Sequence, residues 1–504
     1  MPLSFDQQPV GTAGNPVPAL TNWTPAIGYM IAQNASIAAF FYYQLVLEVR
    51  RDDASGTLFA KLKQRRNGYS VDITNDTARA FFNLKRIVNS QLIETEFDSN
   101  YTIVTSRKSI HTVGHNDTDT IFSLSGDQEL AKPQIIKIYV KAYQNYSEAA
   151  NTSPIDITAG SIDTSIWFYA AAFPLEESRE GSGSAFIQPS TKFDGYTMSS
   201  QNSKMLSDAP YLNDPAIASG GNRIINYVNT YDYHTLAFFN NEDEFESKAK
   251  FFEIIYYDSG GSIIGSNKLY IENKAANGGF DPTATSSSDY NKLLYFGCGP
   301  KNLEESQVDA YNGTDTTANL AAPSNYSGWV YYSVRACDRN NPTLDAHYFS
   351  VPYAFANQTA SCKDYEMRRL AWVNSKGGWD YFNFKMKSTR TIDVTRNNYS
   401  TVLGVYGGQK YTYSNTQRGK KTRSVEAVQK ETLNTDWMVE EQAQFLENLF
   451  MSKNVNMVKS AFTDYNYPVI ITDTSFVKKT NANDRLKIQY TINIEYSNPV
   501  NTNS

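Results

Sequence analysis

The sequence predicts a mainly β, multidomain protein: β-sandwich-like domains followed by a small α+β module at the C-terminus. Three observations support this fold class. The 504 residues are enough for several domains, 35 tyrosines give a composition typical of β-rich proteins, and short apolar segments repeatedly alternate with polar residues in period two. We therefore expect strands joined by short turns, with helices in a minor role.

The N-terminal third begins with five prolines in residues 1–26, which predict an extended N-terminal arm. Residues 27–175 are predicted to form a β-rich domain. Residues 41–49 alternate apolar and polar side chains, and residues 58–62 can pair back on them as a hairpin. Asn75 is a candidate N-cap for a short helix through residues 80–84. The following residues, 176–222, are polar and rich in Ser and Gly, and are predicted to be a linker or long loop.

Residues 223–361 are predicted to form a β-sandwich-like domain. Its strongest local signal is Asp258-Ser259-Gly260-Gly261, which separates the apolar segments 251–257 and 262–264. Turn residues between two apolar runs predict a β-hairpin.

Residues 362–504 form the predicted C-terminal α+β module. The aromatic segment 377–384 follows a first strand at residues 370–373, and Asn434 or Thr435 is expected to cap a helix that ends near residues 452–454. Strands at residues 468–471 and 485–496 close the chain. The candidates for packing or assembly are Trp372, Gly377, Gly378, Trp379, Tyr381, Phe384 and Trp437. Trp379, Tyr381 and Phe384 are expected to anchor a core or an interface, and the two glycines to form the turn before them. Trp437, Phe445 and Leu449 belong to a broad apolar stripe of the predicted helix, which is interpreted as core packing.

Residues 385–423 are basic and contain few acids. This run is interpreted first as a solvated strand followed by a mobile loop at residues 416–423. The alternative is a surface for DNA or an acidic partner, because clustered Lys and Arg side chains attract phosphates.

Motifs that carry chemistry are weak throughout the chain. His111, His115, Asp117 and Asp119 could supply metal ligands, but residues of these types also form ordinary loops. No phosphate-binding loop and no Gly-x-Ser-x-Gly element occurs. We therefore predict no catalytic residue, no metal, no cofactor and no enzymatic activity. A hydrolase that uses two of the 52 acidic residues is a third-ranked alternative.

Composition also limits localisation and partners. The net charge of −6 is mild and does not suggest a dedicated nucleic-acid binder, and three cysteines are too few for a disulfide framework. The N-terminus lacks the pattern of a signal peptide, and residues 27–49 are interrupted by polar side chains. We expect no membrane insertion.

Several segments together resemble a family of large virion proteins found near the neck and tail of short-tailed bacteriophages, including crAss-like and marine phages. The sharpest similarity lies in residues 369–374, which run into residues 377–384. The other similar segments are residues 41–49, 69–73, 204–206, 232–236, 256–261, 295–300, 434–437, 440–441 and 468–473. Residues 1–26 and 276–326 do not resemble the family.

The resemblance implies a structural subunit of a ring or hub in the phage neck, tail or baseplate. We accordingly expect a homo-oligomeric cyclic ring, six- or twelve-fold, that contacts other neck and tail proteins and links the capsid vertex to the tail around the DNA exit path. DNA would pass transiently through the lumen. The protein would be made in the host cytoplasm and reside in the virion. The alternative function is a tail protein that binds a host receptor or carbohydrate through exposed aromatic residues.

Overall fold

The fold is described from a computed structural model of the chain. It describes residues 3–9, 17–18, 28–33, 42–51, 53–65, 78–92, 111, 121–123, 135–147, 152–171, 195–198, 201–209, 226–240, 251–266, 268–272, 293–305, 309–311, 316–318, 320–337, 348, 350–358, 365–416, 419–438, 440–458, 466–478, 488–498 and 501–503. The protein is mainly β, as the sequence predicted, with several multistranded antiparallel sheets. The chain divides into two compact units: Met1–Gln358 with Val373–Asp380, and Thr359–Trp372 with Tyr381–Ser504.

The first unit contains two cores. The elements around the first core are β1 (Leu3–Gln7), β2 (Val17–Pro18), β3 (Gly28–Gln33), β4 (Tyr42–Arg51), β5 (Leu58–Arg65), β6 (Ala78–Asn83), α1 (Lys85–Gln91), β8 (Ile135–Ser147) and β9 (Ile155–Tyr169), while β7 (Ile121–Ser123) belongs to the second core. A five-stranded sheet has the order β2-β9-β8-β4-β5, and a three-stranded sheet has the order β1-β3-β6. Side chains of both sheets meet in one apolar cluster, in which Tyr43, Leu45, Leu47 and Val49 take part. The alternation seen in the sequence therefore marks the core-facing side of β4.

Two N-terminal features differ in detail from the expectation. In the predicted arm, β1 pairs with β3 and β2 pairs with β9, so these short segments are extended but pair within their own chain. The helix predicted over residues 80–84 is wrong. Residues 78–83 form β6, which pairs along its length with β3, and α1 starts only at Lys85. Strand pairing outweighs the weak local helix signal because tertiary context overrides propensity.

The second core of the first unit lies between a four-stranded and a seven-stranded sheet. Its remaining elements are β10 (Thr197–Met198), β11 (Asn226–Val228), β12 (Thr235–Asn240), β13 (Phe251–Tyr257), β14 (Leu269–Glu272), β15 (Leu293–Gly297), α2 (Pro300–Glu305), β16 (Asp309–Tyr311), β17 (Thr316–Ala318), β18 (Tyr331–Cys337) and β19 (Tyr353–Asn357). The sheet orders are β10-β12-β15-β7 and β11-β19-β18-β13-β14-β16-β17, and one apolar cluster contains side chains of both. Met198 and Met205, from the segment predicted as a linker, belong to this cluster.

The turn predicted at residues 258–261 forms at the end of β13. The Asp258 carboxylate accepts the backbone N–H groups of Gly260 at 2.8 Å and Ser262 at 2.9 Å, and Gly261 has φ +80°. The pairing beyond the turn differs from the prediction. Only an isolated bridge joins Tyr257 to Ile263, and the strand that pairs with β13 on this side is β14.

The second unit is built on one large sheet. Its elements are β20 (Arg368–Val373), β21 (Trp379–Phe384), β22 (Thr389–Ser400), β23 (Val405–Gly407), β24 (Lys410–Thr412), β25 (Lys420–Asn434), α3 (Glu440–Met451), β26 (Val455–Met457), β27 (Tyr467–Ile471), β28 (Thr491–Tyr496) and β29 (Asn501–Asn503), although Val373 and Trp379–Asp380 group with the first unit. The sheet order is β21-β20-β26-β27-β28-β25-β22, with β29 also paired to β25. The strands β23 and β24 form a separate small hairpin.

The predicted C-terminal helix exists but begins later than expected. It starts at Glu440 rather than after Thr435, because residues 434 and 435 are held by residues 488–491. The Thr435 backbone N–H donates to the Tyr490 carbonyl, and the Thr435 hydroxyl accepts the Tyr490 N–H at 2.9 Å. Thr435 therefore bonds to a distant segment and not to a helix N-terminus.

Candidate assembly surface

The predicted turn at residues 377–378 is a tightly specified structure. Gly377 has φ +77°, a conformation that glycine adopts without steric cost. The Asn374 side-chain oxygen accepts the N–H groups of Lys376 at 3.0 Å and Gly378 at 3.1 Å. A Cβ atom on Gly378 would lie 1.9 Å from the Leu206 carbonyl oxygen. Both glycines are therefore required, Gly377 for its conformation and for space, and Gly378 for space.

A buried polar cluster fixes this turn within the first unit. The Asp380 carboxylate accepts hydrogen bonds from the Ser207 hydroxyl at 2.6 Å, the Asp208 N–H at 3.0 Å and the Asn374 amide at 2.9 Å. Lys376 forms an ion pair with Asp208, and both side chains are buried. The donors come from the chain itself, so the two carboxylates hold the turn and are not arranged around an open cleft.

Burial is the main influence on the charge of Asp380. Burial and, to a smaller extent, the neighbouring Asp208 charge raise the pKa of this carboxyl, and the hydrogen bonds from Ser207, Asn374 and the Asp208 backbone lower it; the net result is a pKa of about 7. The Asp380 carboxyl therefore changes between its protonated and its charged form near neutral pH, although the side chain is buried.

The predicted aromatic anchors of the first strand pair are buried. Trp379 packs edge-on against His111 with the ring centroids 4.6 Å apart. Trp372 lies against Phe445 of α3 at 5.1 Å. The Arg369 guanidinium lies 5.0 Å from the centre of the Tyr381 ring.

Phe384 and Trp437 have different environments. Phe384 is buried and packs edge-on against Phe382 at 5.0 Å. Trp437 precedes α3, and 60% of its surface is exposed. It was predicted to belong to the buried stripe of the helix, and that part of the prediction is wrong because the helix begins three residues beyond it. The structure therefore assigns six of the seven candidates to buried positions and leaves Trp437 at the surface.

Of the four candidate metal ligands named from the sequence, the structure describes only His111. His111 is buried, and its carbonyl accepts a hydrogen bond from Asn302 at 3.2 Å, whereas His115, Asp117 and Asp119 lie outside the described residues. Among the described residues, no three His, Cys, Asp or Glu side chains are close enough to hold a metal ion. No helix within the described ranges is long and apolar enough to cross a membrane.

Most of the basic run belongs to an elongated β-ribbon. We define this ribbon as residues 389–425 and call it the arm; the name no longer refers to the N-terminal segment. The strand β22 pairs with β25 over twelve residues, with a bulge at Asn397 and Asn398. Beyond these strands lies the β23–β24 hairpin, which turns at Gly408 and Gln409, with Gly408 at φ +65°. The predicted strand is thus correct, but the predicted mobile loop is wrong over residues 420–423, which are the start of β25.

The base of the arm is rigidly held inside the second unit. Glu431 of β25 is fully buried and accepts hydrogen bonds from Arg368 at 2.9 Å and from the Tyr496 hydroxyl at 2.7 Å. Arg390, at the start of β22, lies 3.3 Å from the same carboxylate. A buried carboxylate with several charged and polar partners is strongly fixed in position. The arm therefore leaves the sheet in a defined direction.

Away from its base, the arm exposes apolar side chains. Every residue of β22 is exposed, including Ile392 and Val394. At the far end Val402 is 89% exposed, Val405 63% and Tyr413 66%. The described residues contain 19 exposed large hydrophobic side chains, and eight of these lie between positions 392 and 413. Concentrated apolar exposure of this kind marks an interaction surface.

The arm also carries an unbalanced positive charge. Residues 389–425 include seven Lys and Arg against the single Asp393, and Asp393 pairs with Lys430 at 2.7 Å. Within the described ranges, no carboxylate pairs with the following cations of the arm: Arg396, Lys410, Lys420, Lys421 and Arg423. These charges are available to a partner.

The arm as a paired ribbon was not predicted, although the sequence contained a signal for it. Gly408-Gln409, which follows Gly407, lies between two short β-type segments, and glycine is typical of a two-residue hairpin turn. The long polar alternation of residues 420–434 is a strand pattern as well. What the local pattern did not contain is the register that brings these two strands together.

Comparison with models of known protein families gives no match, and neither does a search of curated proteins.

Proposed function

We propose that this chain is a structural virion protein that forms an oligomeric ring or hub in the neck or tail of a bacteriophage. In this role it links the capsid vertex to the tail around the DNA exit path. It acts by assembly and not by catalysis. The proposal joins the family resemblance of the sequence to one structural observation, the uneven distribution of exposed apolar surface.

Exposed hydrophobic side chains are concentrated in the second unit. This unit supplies 110 of the 304 described residues, yet it contains 13 of the 19 large hydrophobic side chains that are exposed among them. Beyond the arm, they include Trp437, Tyr467 and Ile470. Isolated exposed hydrophobic residues are ordinary on a monomer, but a concentration in little more than a third of the described residues favours a subunit that is covered on assembly.

The structure of the arm supports an architectural role. A two-stranded ribbon is marginally stable by itself, and this one is attached to a large sheet through the buried Glu431. Such an element can reach a neighbouring subunit without a loss of order at its base. Closed cyclic symmetry would satisfy the same surface on every subunit of a ring.

The test is the oligomeric state of the purified full-length chain, measured by native mass spectrometry and by electron microscopy at several concentrations. We expect ring-shaped particles of a single copy number, and the same protein at the neck or tail in images of virions labelled with an antibody. A chain that stays monomeric and never enters particles would refute the proposal.

A carbohydrate-binding tail protein is the second candidate. The exposed rings of Tyr399, Tyr411 and Tyr413 near the end of the arm favour it, because aromatic faces stack on sugars. Binding of the isolated protein to a glycan array, abolished by Tyr411→Ala with Tyr413→Ala, would support this candidate. Absence of binding by an assembled ring would favour the structural role.

A further inference from the structure

The charge of the chain is divided very unevenly between the arm and the remainder. The whole chain has a net charge of −6, and the arm, with seven Lys and Arg and one Asp, has +6. The remaining 467 residues therefore carry −12. Since both parts belong to every copy, two copies can attract each other only in particular orientations.

Contact between the arms of two copies is unfavourable because both arms are positively charged. Two surfaces of +6 repel each other, and like charges placed against each other at an interface cost several kcal/mol. A two-fold dimer in which one arm lies on the other is therefore opposed by electrostatics. Contact between an arm and the acidic remainder of another copy is favoured.

Resting on the proposed function, we propose that the arm of one subunit docks on a second copy of the same chain in a head-to-tail contact. The arm meets the acidic remainder of that copy, meaning the residues outside 389–425, which we call the body. The two contact surfaces then differ, so the interface is heterologous. A heterologous interface generates a ring when the rotation between neighbours closes. The charge division thus favours contact of the arm with the remainder of another copy over contact between two arms.

The apolar side chains of the arm distinguish a protein partner from a nucleic acid. Val402 and Val405 are the most exposed large hydrophobic side chains at the arm's end, together with Tyr413. A phosphate backbone would engage Lys420, Lys421 and Arg423 but would leave the two valines in water. A protein body can cover the valines and accept the cations at the rim, which is the usual division of an interface into an apolar centre and a polar edge.

The backbone edge of the arm does not favour simple strand addition. β22 is the edge strand of the large sheet and exposes its full length. It carries Arg390, Asp393 and Arg396, and its register with β25 shifts at Asn397 and Asn398, where Arg423 of β25 is the extra residue. Charges and bulges are features that protect edges from pairing with another strand. The docking therefore uses the side chains on the arm, and above all those at its far end.

The first experiment compares assembly of the wild type with that of Val402→Asp with Val405→Asp. Both positions are exposed, so the variant is expected to fold, which circular dichroism and melting temperature check. We expect the concentration for half-assembly to rise at least about tenfold, as for the loss of interface anchors. The matched control is Val330→Asp in the first unit, a residue that is also exposed, and it should leave assembly unchanged.

The second experiment identifies the contact directly. Equal amounts of ¹⁴N- and ¹⁵N-labelled wild type are mixed, assembled and treated with a lysine cross-linker. We expect mixed-isotope links from Lys410, Lys420 or Lys421 to residues outside 389–425, and none between two arms. Links between two arms would overturn the head-to-tail arrangement. Dissociation of the wild-type assembly by nuclease would overturn it as well, because DNA would then be the occupant of the arm.

A truncated chain provides the third test. A copy in which residues 401–419 are replaced by a two-residue turn keeps the acceptor surface but lacks the end of the arm. At a head-to-tail interface the truncated copy can bind the arm of one neighbour but cannot dock an arm of its own on the next copy. Substoichiometric amounts of it should therefore lower the mean size of the assembly. If the truncated copy leaves the size unchanged, the inference fails.

The outcomes separate this inference from the proposed function. A wild-type chain that remains monomeric refutes both. A wild-type ring that assembles equally well with the Val402→Asp and Val405→Asp changes leaves the structural role standing and refutes the docking of the arm.

Discussion

Replacement of Gly378 by alanine tests whether the turn at residues 377–380 is as constrained as its contacts indicate. The added Cβ atom would lie 1.9 Å from the Leu206 carbonyl oxygen and 3.1 Å from the Leu206 Cβ atom. Cβ atoms are essentially never found within 3.0 Å of such an atom, so the two segments must separate by at least 1.1 Å. Gly378 does not have a positive φ, and the effect is therefore steric and not conformational.

The separation acts on the polar cluster as well as on the packing. Among the hydrogen bonds that hold the turn to residues 206–208, three lie beside Gly378: Asn374 donates to the Leu206 carbonyl at 3.0 Å, and the Ser207 hydroxyl and the Asp208 N–H donate to Asp380 at 2.6 and 3.0 Å. A shift of this size stretches all three beyond hydrogen-bonding distance. Overpacking costs about 1–3 kcal/mol and each net hydrogen bond about 0.5–1.5 kcal/mol. We expect a loss of about 2.5–7.5 kcal/mol in the free energy of unfolding of the first unit, from the sum of these terms.

The measurement is urea unfolding combined with hydrogen exchange of the Asp208 amide, which reports the opening of this cluster locally. Gly195→Ala is the control, since Gly195 lies in the same unit, has no positive φ and has no atom within 4 Å of the new Cβ. It should change stability by less than about 0.5 kcal/mol. If Gly378→Ala is as stable as Gly195→Ala and protects the Asp208 amide equally well, the steric reasoning is wrong.

Three further predictions concern buried side chains. Trp379→Ala should lower the free energy of unfolding by about 3–5 kcal/mol because it leaves a cavity beside His111, and damaged folding or assembly should be the only phenotype. Calorimetry measures this loss, and an unchanged melting temperature would contradict the prediction. Burial raises the pKa of Asp380 from 3.8 to about 7, so the free energy of unfolding should be highest below pH 4 and should fall by about 4 kcal/mol as the pH rises to about 7. Asp380→Asn, whose amide can keep the same partners, should reduce this fall in urea titrations. If the variant shows the same dependence on pH as the wild type, Asp380 is not its cause. Glu431→Ala should lower the free energy of unfolding by about 3–5 kcal/mol, because it leaves Arg368 buried without this carboxylate. Arg390→Ala removes only a half-exposed partner of Glu431 and should lower it less. Equal losses in the two variants would contradict the argument.

The candidate surface was partly accessible from the sequence. Trp372, Trp379, Tyr381 and Phe384 lie in short aromatic segments near turn residues, a pattern that predicts packing anchors, and all four are buried. Helical spacing predicts that Trp437 packs in the core, but its exposure depends on where α3 begins. That start is decided by hydrogen bonds between Thr435 and Tyr490, which are 55 positions apart. No local pattern contains such a contact.

The sequence by itself determined the mainly β class, most strand positions and the turns at residues 258–261 and 377–378. These features follow from period-two alternation and from glycine, which act over a few neighbouring residues. Tertiary structure alone decided why Gly378 must be glycine, how Asp380 finds its donors, and that the basic run is a paired arm with apolar side chains at its end. Each of these depends on surfaces brought together from distant positions, where close packing and buried hydrogen bonds select one register among many.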